Sequence, residues 1–192
     1  MLNKTADLFL VSCFLLSSCT VLDQNQCPLE GSAPDQHKKE SNRLKNRNTE
    51  LKPGAKIISI EEVLKDGDDH GRFSDSDYVS IEGYVAQIKS GGAESCNCNS
   101  TDEKSHDVHL YIGKTGNDEK KDCFIAEATP AFKAKHSIHY DELKGKKVRI
   151  TGYMLYDTEH KGSAVNSCRK CANVWRKTVW EIHPVVKLEI LE

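Results

Sequence analysis

Five segments of this chain alternate apolar and polar side chains with a period of two, and the helix-start signals fall only before the first of them and between the third and fourth. The segments are DYVSIEGYVAQIKS (77–90), HDVHLYIG (106–113), CFIAEAT (123–129), KKVRITGYMLYD (146–157) and TVWEIHPVVKLEIL (178–191). Alternation over such lengths marks strands with one buried face. Ser59 and Glu62 fit a capping box for a short helix ahead of the first strand. Thr129 and Pro130 supply a cap and a first-turn proline for a helix running irregularly toward Leu143. Gly83 predicts a bend or bulge in the first strand, and Pro184 places its part of the fifth near an edge or bulge. Strand count and helix position predict an all-β fold: a five-stranded OB-fold Greek-key barrel with a helix between strands three and four and a short N-terminal helix.

A chain of 192 residues, 38% of them hydrophobic, has room for one such core plus appendages. Its net charge of −2 argues against a polyanion binder that works by bulk charge. Ahead of the barrel, an apolar run from Leu8 to Leu16 is too short to span a bilayer and reads as a signal peptide over 1–18. It ends in Leu16-Ser17-Ser18-Cys19, which resembles the bacterial lipobox. That resemblance implies lipidation of Cys19, a membrane partner through that lipid, and a place in the cell envelope, periplasmic or at the outer membrane. Residues 19–55 are polar and lack an apolar period, so a flexible tether is expected there, with the OB-like domain over 56–192.

The polar residues of the strands fall into two groups. Asp107 and His109 open the second strand while Glu127 lies late in the third, so antiparallel pairing brings the three level. Asp157 and His160 follow the fourth strand, and Glu181 and His183 open the fifth, which again become level. In the barrel order one, two, three, five, four, both groups border the usual OB ligand face. Together, Asp107-x-His109, Glu127 in IAEATP, VRITGYMLYDTEH ending at His160, and WEIHPV resemble a widespread bacterial family of small uncharacterised OB-like proteins, over about residues 77–188. The resemblance implies the barrel and the grouping of these residues. It implies no reaction, because no activity is established for that family. Here a longer cysteine-bearing loop stands where members often place a tryptophan soon after the histidine.

Six cysteines lie beyond Cys13 and Cys19: Cys27, Cys96, Cys98, Cys123, Cys168 and Cys171. In an exported protein an even count reads first as disulfides. Cys96-x-Cys98 follows the first strand and Cys168-x-x-Cys171 the fourth, so bridges between these two loops are expected to staple the rim of the ligand face. The same four thiols could hold zinc, and CxxC is also a redox motif. His136 and His139 read as an exposed helix face and His70 as part of a solvated acidic loop.

Three functions suit this pattern. The first is an envelope-anchored OB-fold ligand-binding module with Asp107, His109, Glu127, His160, Glu181 and His183 on its ligand face. Oligosaccharide or peptide is favoured over nucleic acid, because the carboxylates repel phosphate. The second is a metal-dependent hydrolase, with phosphodiesters among its conceivable substrates. It would hold a divalent metal, zinc or manganese, on Asp107, His109, Glu127 and His183, with His160 as an outer ligand or general base and Arg149 and Arg176 available to anions. The third is a structural envelope protein in which carboxylate–histidine pairs fix loops.

Overall fold

Burying one face of each alternating strand requires the sheet to close on itself, and in the computed structural model, which describes residues 27–191, it does so. The elements in chain order are α1 (Gln36–Lys45), β1 (Lys56–Ile58), α2 (Ile60–Val63), β2 (Tyr78–Ser90), β3 (Val108–Gly113), β4 (Phe124–Ala128), α3 (Pro130–Lys135), β5 (Lys147–Tyr156) and β6 (Trp180–Ile190). β2 pairs with β3, β3 with β4, β4 with β6, β6 with β5, and β5 back with β2, which closes a five-stranded barrel of OB type. Only the β4–β6 pairing is parallel within that ring. β1, which alternation over three residues cannot announce, adds a parallel edge to β2. The inward residues include Val79, Ile81, Leu110, Ile112, Phe124, Ala126, Ile150, Met154 and Ile182, with Phe132 of α3 and Leu143 plugging the core.

Local signals set the ends of these elements. Ser59 accepts from Glu62 N at the start of α2, and Thr129 accepts from Phe132 N at the start of α3. α3 stops at Lys135, and a separate 3-10 turn covers Tyr140–Leu143, so the connection is shorter in helix than expected. The ladder of β2 with β3 shifts between Val85 and Gln87, two residues beyond Gly83. β5 and β6 lose register around Gly152, opposite His183 and Pro184. A Cβ on Gly152 would overlap Ile182 and the Pro184 carbonyl, so only glycine admits this close approach.

Two expectations need correction. Residues 1–18, Cys19 and the first part of the expected tether lie outside the described residues, but from residue 27 onward the segment is not a free tether. α1, capped by Asp35, packs against β6 and the turn over Ser95–Asn97. Its docking is polar. Asn42 Nδ2 donates to Glu30 O (2.9 Å) and Ser95 Oγ (3.1 Å), Asn46 Nδ2 to Cys96 O (2.9 Å), and Arg47 Nη2 to Met154 O and His183 O (both 3.2 Å). The cysteines pair differently too: Cys27 with Cys98, and Cys168 with Cys171, leaving Cys96 and Cys123 as buried thiols. No bridge joins the two loops. With Cys98, Cys168 and Cys171 already oxidised, the four-thiol zinc site is excluded as well. The bridge that staples the rim runs instead to the N-terminal segment, which brings Cys27 beside Cys98.

The Cys27–Cys98 link closes 71 residues. In the chain-entropy account its loss is worth about 4 kcal/mol. The double variant Cys27→Ser/Cys98→Ser is therefore expected to lower the urea midpoint by a corresponding amount, while limited proteolysis shows cleavage first within residues 30–50. Unchanged protection of that segment would show that the polar contacts alone hold it.

Candidate functional site

Alternation turns His109, Tyr111, Ile125, Glu127, Glu181 and His183 away from the barrel core, onto the outer face of β3, β4 and β6. His109 stands directly across from Glu127, and Ile125 across from Glu181. On an uncovered barrel this face would be wet. Here α1 and the loops over 91–107 and 157–179 roof it, so Glu127 is 6% exposed, Glu181 0% and His183 1%.

The result is one continuous network. His183 lies among three carboxylates: Nδ1 is 3.2 Å from Glu181 Oε1 and 3.0 Å from Glu127 Oε2, and Nε2 is 3.4 Å from Asp107 Oδ2. A carboxylate only accepts, so Nδ1–H donates, and its direction favours Glu181. Glu127 Oε2, although close, is left without a hydrogen bond. His109 Nε2 lies 3.5 Å from Glu127 Oε1 and also makes none. Beyond Glu181 the chain continues through Arg176, whose Nη2 donates to Glu181 Oε2 (2.9 Å) and Nη1 to Asp157 Oδ2 (2.8 Å). Asp157 in turn accepts from His160 Nδ1. The two groups read from the sequence are thus linked end to end through His183, Glu181 and Arg176.

Two members of this network, Lys45 and Arg176, were not placed in it by the sequence. Lys45 of α1 is 4% exposed and reaches Glu94 Oε2 at 3.3 Å. Its helix holds one apolar residue, Leu44, so no apolar stripe betrays it. The Asp35 cap and the absence of glycine or proline through residue 52 were the available signals. Arg176, expected to be available to anions, is instead buried between two protein carboxylates. Arg149 pairs with Glu82 on the far surface. His136 stacks on Phe132, and His106 Nε2 meets Ser100 O, both outside the network.

Charges set the protonation states. Burial disfavours the charged form of His183, but Glu127, Glu181 and Asp107 outweigh it and push the imidazole up to about 10. Burial, with Glu127 and Glu94 nearby, pushes Asp107 up to about 8 against the pull of His183. Burial would also raise Glu127, yet His183, His109 and Lys45 hold it well below the ordinary carboxylate range. Lys45, desolvated but facing Glu127, Glu181, Glu94 and Asp157, stays an ammonium. Asp107 also lines a cleft of about 770 Å³, together with Leu29, Lys45, Asn46, Asn97 and Ser105, so the network reaches solvent there.

No known protein-family model matches the chain, and no curated protein sequence matches it.

Truncating Arg176 strands two buried carboxylates. Arg176→Ala is expected to cost about 3–5 kcal/mol by denaturant unfolding, far more than any exposed arginine. His160 has a different signature. Its hydrogen bond to Asp157, and the Asp157 charge, raise its pKa above 6.5 against burial and Arg176. Its contribution is then complete below about pH 6.5 and is lost as pH rises through the raised value. Asp157 is held low by His160, Arg176 and Lys45 against burial, so its share is present above about pH 4 and lost only in stronger acid. His160→Gln should therefore destabilise more at about pH 5.5 than at about pH 9. The difference should stay under about 1 kcal/mol, because the side chain is 40% exposed.

Proposed function

We propose that this protein is a lipid-anchored binding module of the bacterial cell envelope, whose OB barrel presents the cleft beside the Asp107–Glu127–His183 cluster to a small hydrogen-bonding ligand. The observation that carries this reading is the double membership of Asp107, at once part of the buried network and of the cleft wall. A carboxyl group held rigidly by buried partners at the floor of an open cleft is a preorganised hydrogen-bonding group. The cleft walls combine amides and hydroxyls (Asn46, Asn97, Ser105) with small apolar surfaces (Leu29, Pro130), and hold no aromatic ring on which a base could stack. Lys45 and Arg47 also line the cleft, but without a ring for stacking these walls suit an oligosaccharide or a short peptide better than a nucleic-acid strand. Two disulfides support export to an oxidising compartment, and Leu16-Ser17-Ser18-Cys19 supports lipid attachment at Cys19. Among the described residues no helix is long and apolar enough to cross a membrane.

Ala131 lines the cleft and is exposed, so a larger side chain there fills space without disturbing the core. On arrays of envelope-derived oligosaccharides and short peptides, the wild-type chain is expected to retain a defined subset. Ala131→Trp should weaken that retention at least about tenfold, equivalent to 1.4 kcal/mol, with an unchanged melting temperature. Retention of nothing by the wild type, or equal retention by the variant, would overturn the reading.

A further inference from the structure

We propose that Asp107, Glu127 and His183 together hold one divalent first-row metal ion, zinc or manganese, as a resident of the cluster beneath the cleft. The proposal deepens the binding reading by naming an occupant of the same site. Each of the three residues offers one ligand atom, and these atoms all lie within 4.8 Å of one another. His183 Nε2 and Asp107 Oδ2 are 3.4 Å apart, which is about the edge of a tetrahedron drawn with bonds near 2.1 Å. The donor set, one imidazole nitrogen with two carboxylates, suits zinc and manganese and is poorly matched to a soft, thiolate-seeking ion.

Surroundings of the cluster point the same way. Glu181 accepts from His183 Nδ1–H and is itself held by Arg176, which fixes the ring and presents Nε2 toward Asp107. A carboxylate behind the far nitrogen of a histidine is the arrangement that orients metal-binding imidazoles. Glu127 is 6% exposed, yet its Oε2, turned to His183, has no hydrogen bond. His183 Nδ1 lies 3.0 Å from it, but that proton is directed to Glu181, and a buried carboxylate oxygen without a hydrogen bond gains from a cation. His109 Nε2, 3.5 Å from Glu127 Oε1, lies beside the cluster and outside the set of three converging ligand atoms. Asp107 opens on the cleft and provides the way in.

The test uses the full chain with both disulfides intact, stripped with chelator and titrated calorimetrically with zinc, manganese and calcium chlorides. One zinc or manganese ion per chain is expected, with calcium weaker at least about tenfold because it gains little from imidazole. Asp107→Asn, at the partly exposed edge of the cluster, and Glu181→Gln, behind His183, should each weaken binding about 10- to 100-fold. Loss of saturable binding in wild type, calcium binding as tight as zinc, or unchanged affinity in Asp107→Asn would overturn the proposal. Ala131→Trp separates the two readings. It should leave the metal affinity intact while weakening array retention at least about tenfold, so a failed metal titration with retained array binding sinks only the metal, and the converse sinks only the organic ligand.

Discussion

The guanidinium of Arg176 is the group on which the polar half of this structure depends. It is 1% exposed, and both carboxylates it holds, Asp157 and Glu181, are buried with it. Arginine suits the place because its planar fork can serve two acceptors at once and still donate to the Thr178 and Val179 carbonyls. Through Glu181 its influence passes to His183, whose orientation decides what Glu127 and Asp107 face. The cluster on the barrel surface is therefore positioned from a loop, and not only from the strands that carry it.

A roof of unusual composition makes that burial possible. α1 and the two residues after it are held by Asn42, Lys45 and Asn46, which bond to the loop over 94–96 and to the N-terminal segment, and by Arg47, which donates to the barrel carbonyls of Met154 and His183. An apolar helix would cover the face more cheaply but would leave the carboxylates without counter-charge. Lys45 answers that need directly. The Cys27–Cys98 link holds the segment's other end, so a helix with one apolar residue can remain docked.

How much of this was legible in the sequence follows from the physics of each signal. Alternation reports which residues share a face, and it correctly grouped His109 with Asp107 and Glu181 with His183; antiparallel pairing then levelled His109 with Glu127. Barrel closure followed from strand count and from the position of Thr129-Pro130. What alternation cannot report is what lies above an outward face. Nothing local distinguishes Lys45 buried over carboxylates from a lysine in water, and cysteine spacing restricts but does not choose among pairings. The expectation that 27–55 is a tether failed for the same reason. Its low hydrophobicity excludes apolar docking, whereas amides donating to loop carbonyls and a guanidinium donating to barrel carbonyls leave no periodic trace.

The long-range character of that docking has a consequence for how the molecule is made. Arg47 donates to the carbonyl of His183, 136 residues further along, and Asn42 to Ser95, 53 residues away. Contacts of such separation offer nothing until the distant segment is in place, and a ten-residue helix so poor in apolar groups is marginal by itself. The contacts of the roof therefore depend on a closed barrel, and not the reverse. Until the roof docks, His183, Glu127 and Glu181 stand in water with their charges solvated, and whatever ion or proton settles among them is enclosed when α1 comes down. An ion or proton enclosed in this way afterwards exchanges through the partly exposed edges of the network, at Asp107, His109 and His160, or when the roof lifts.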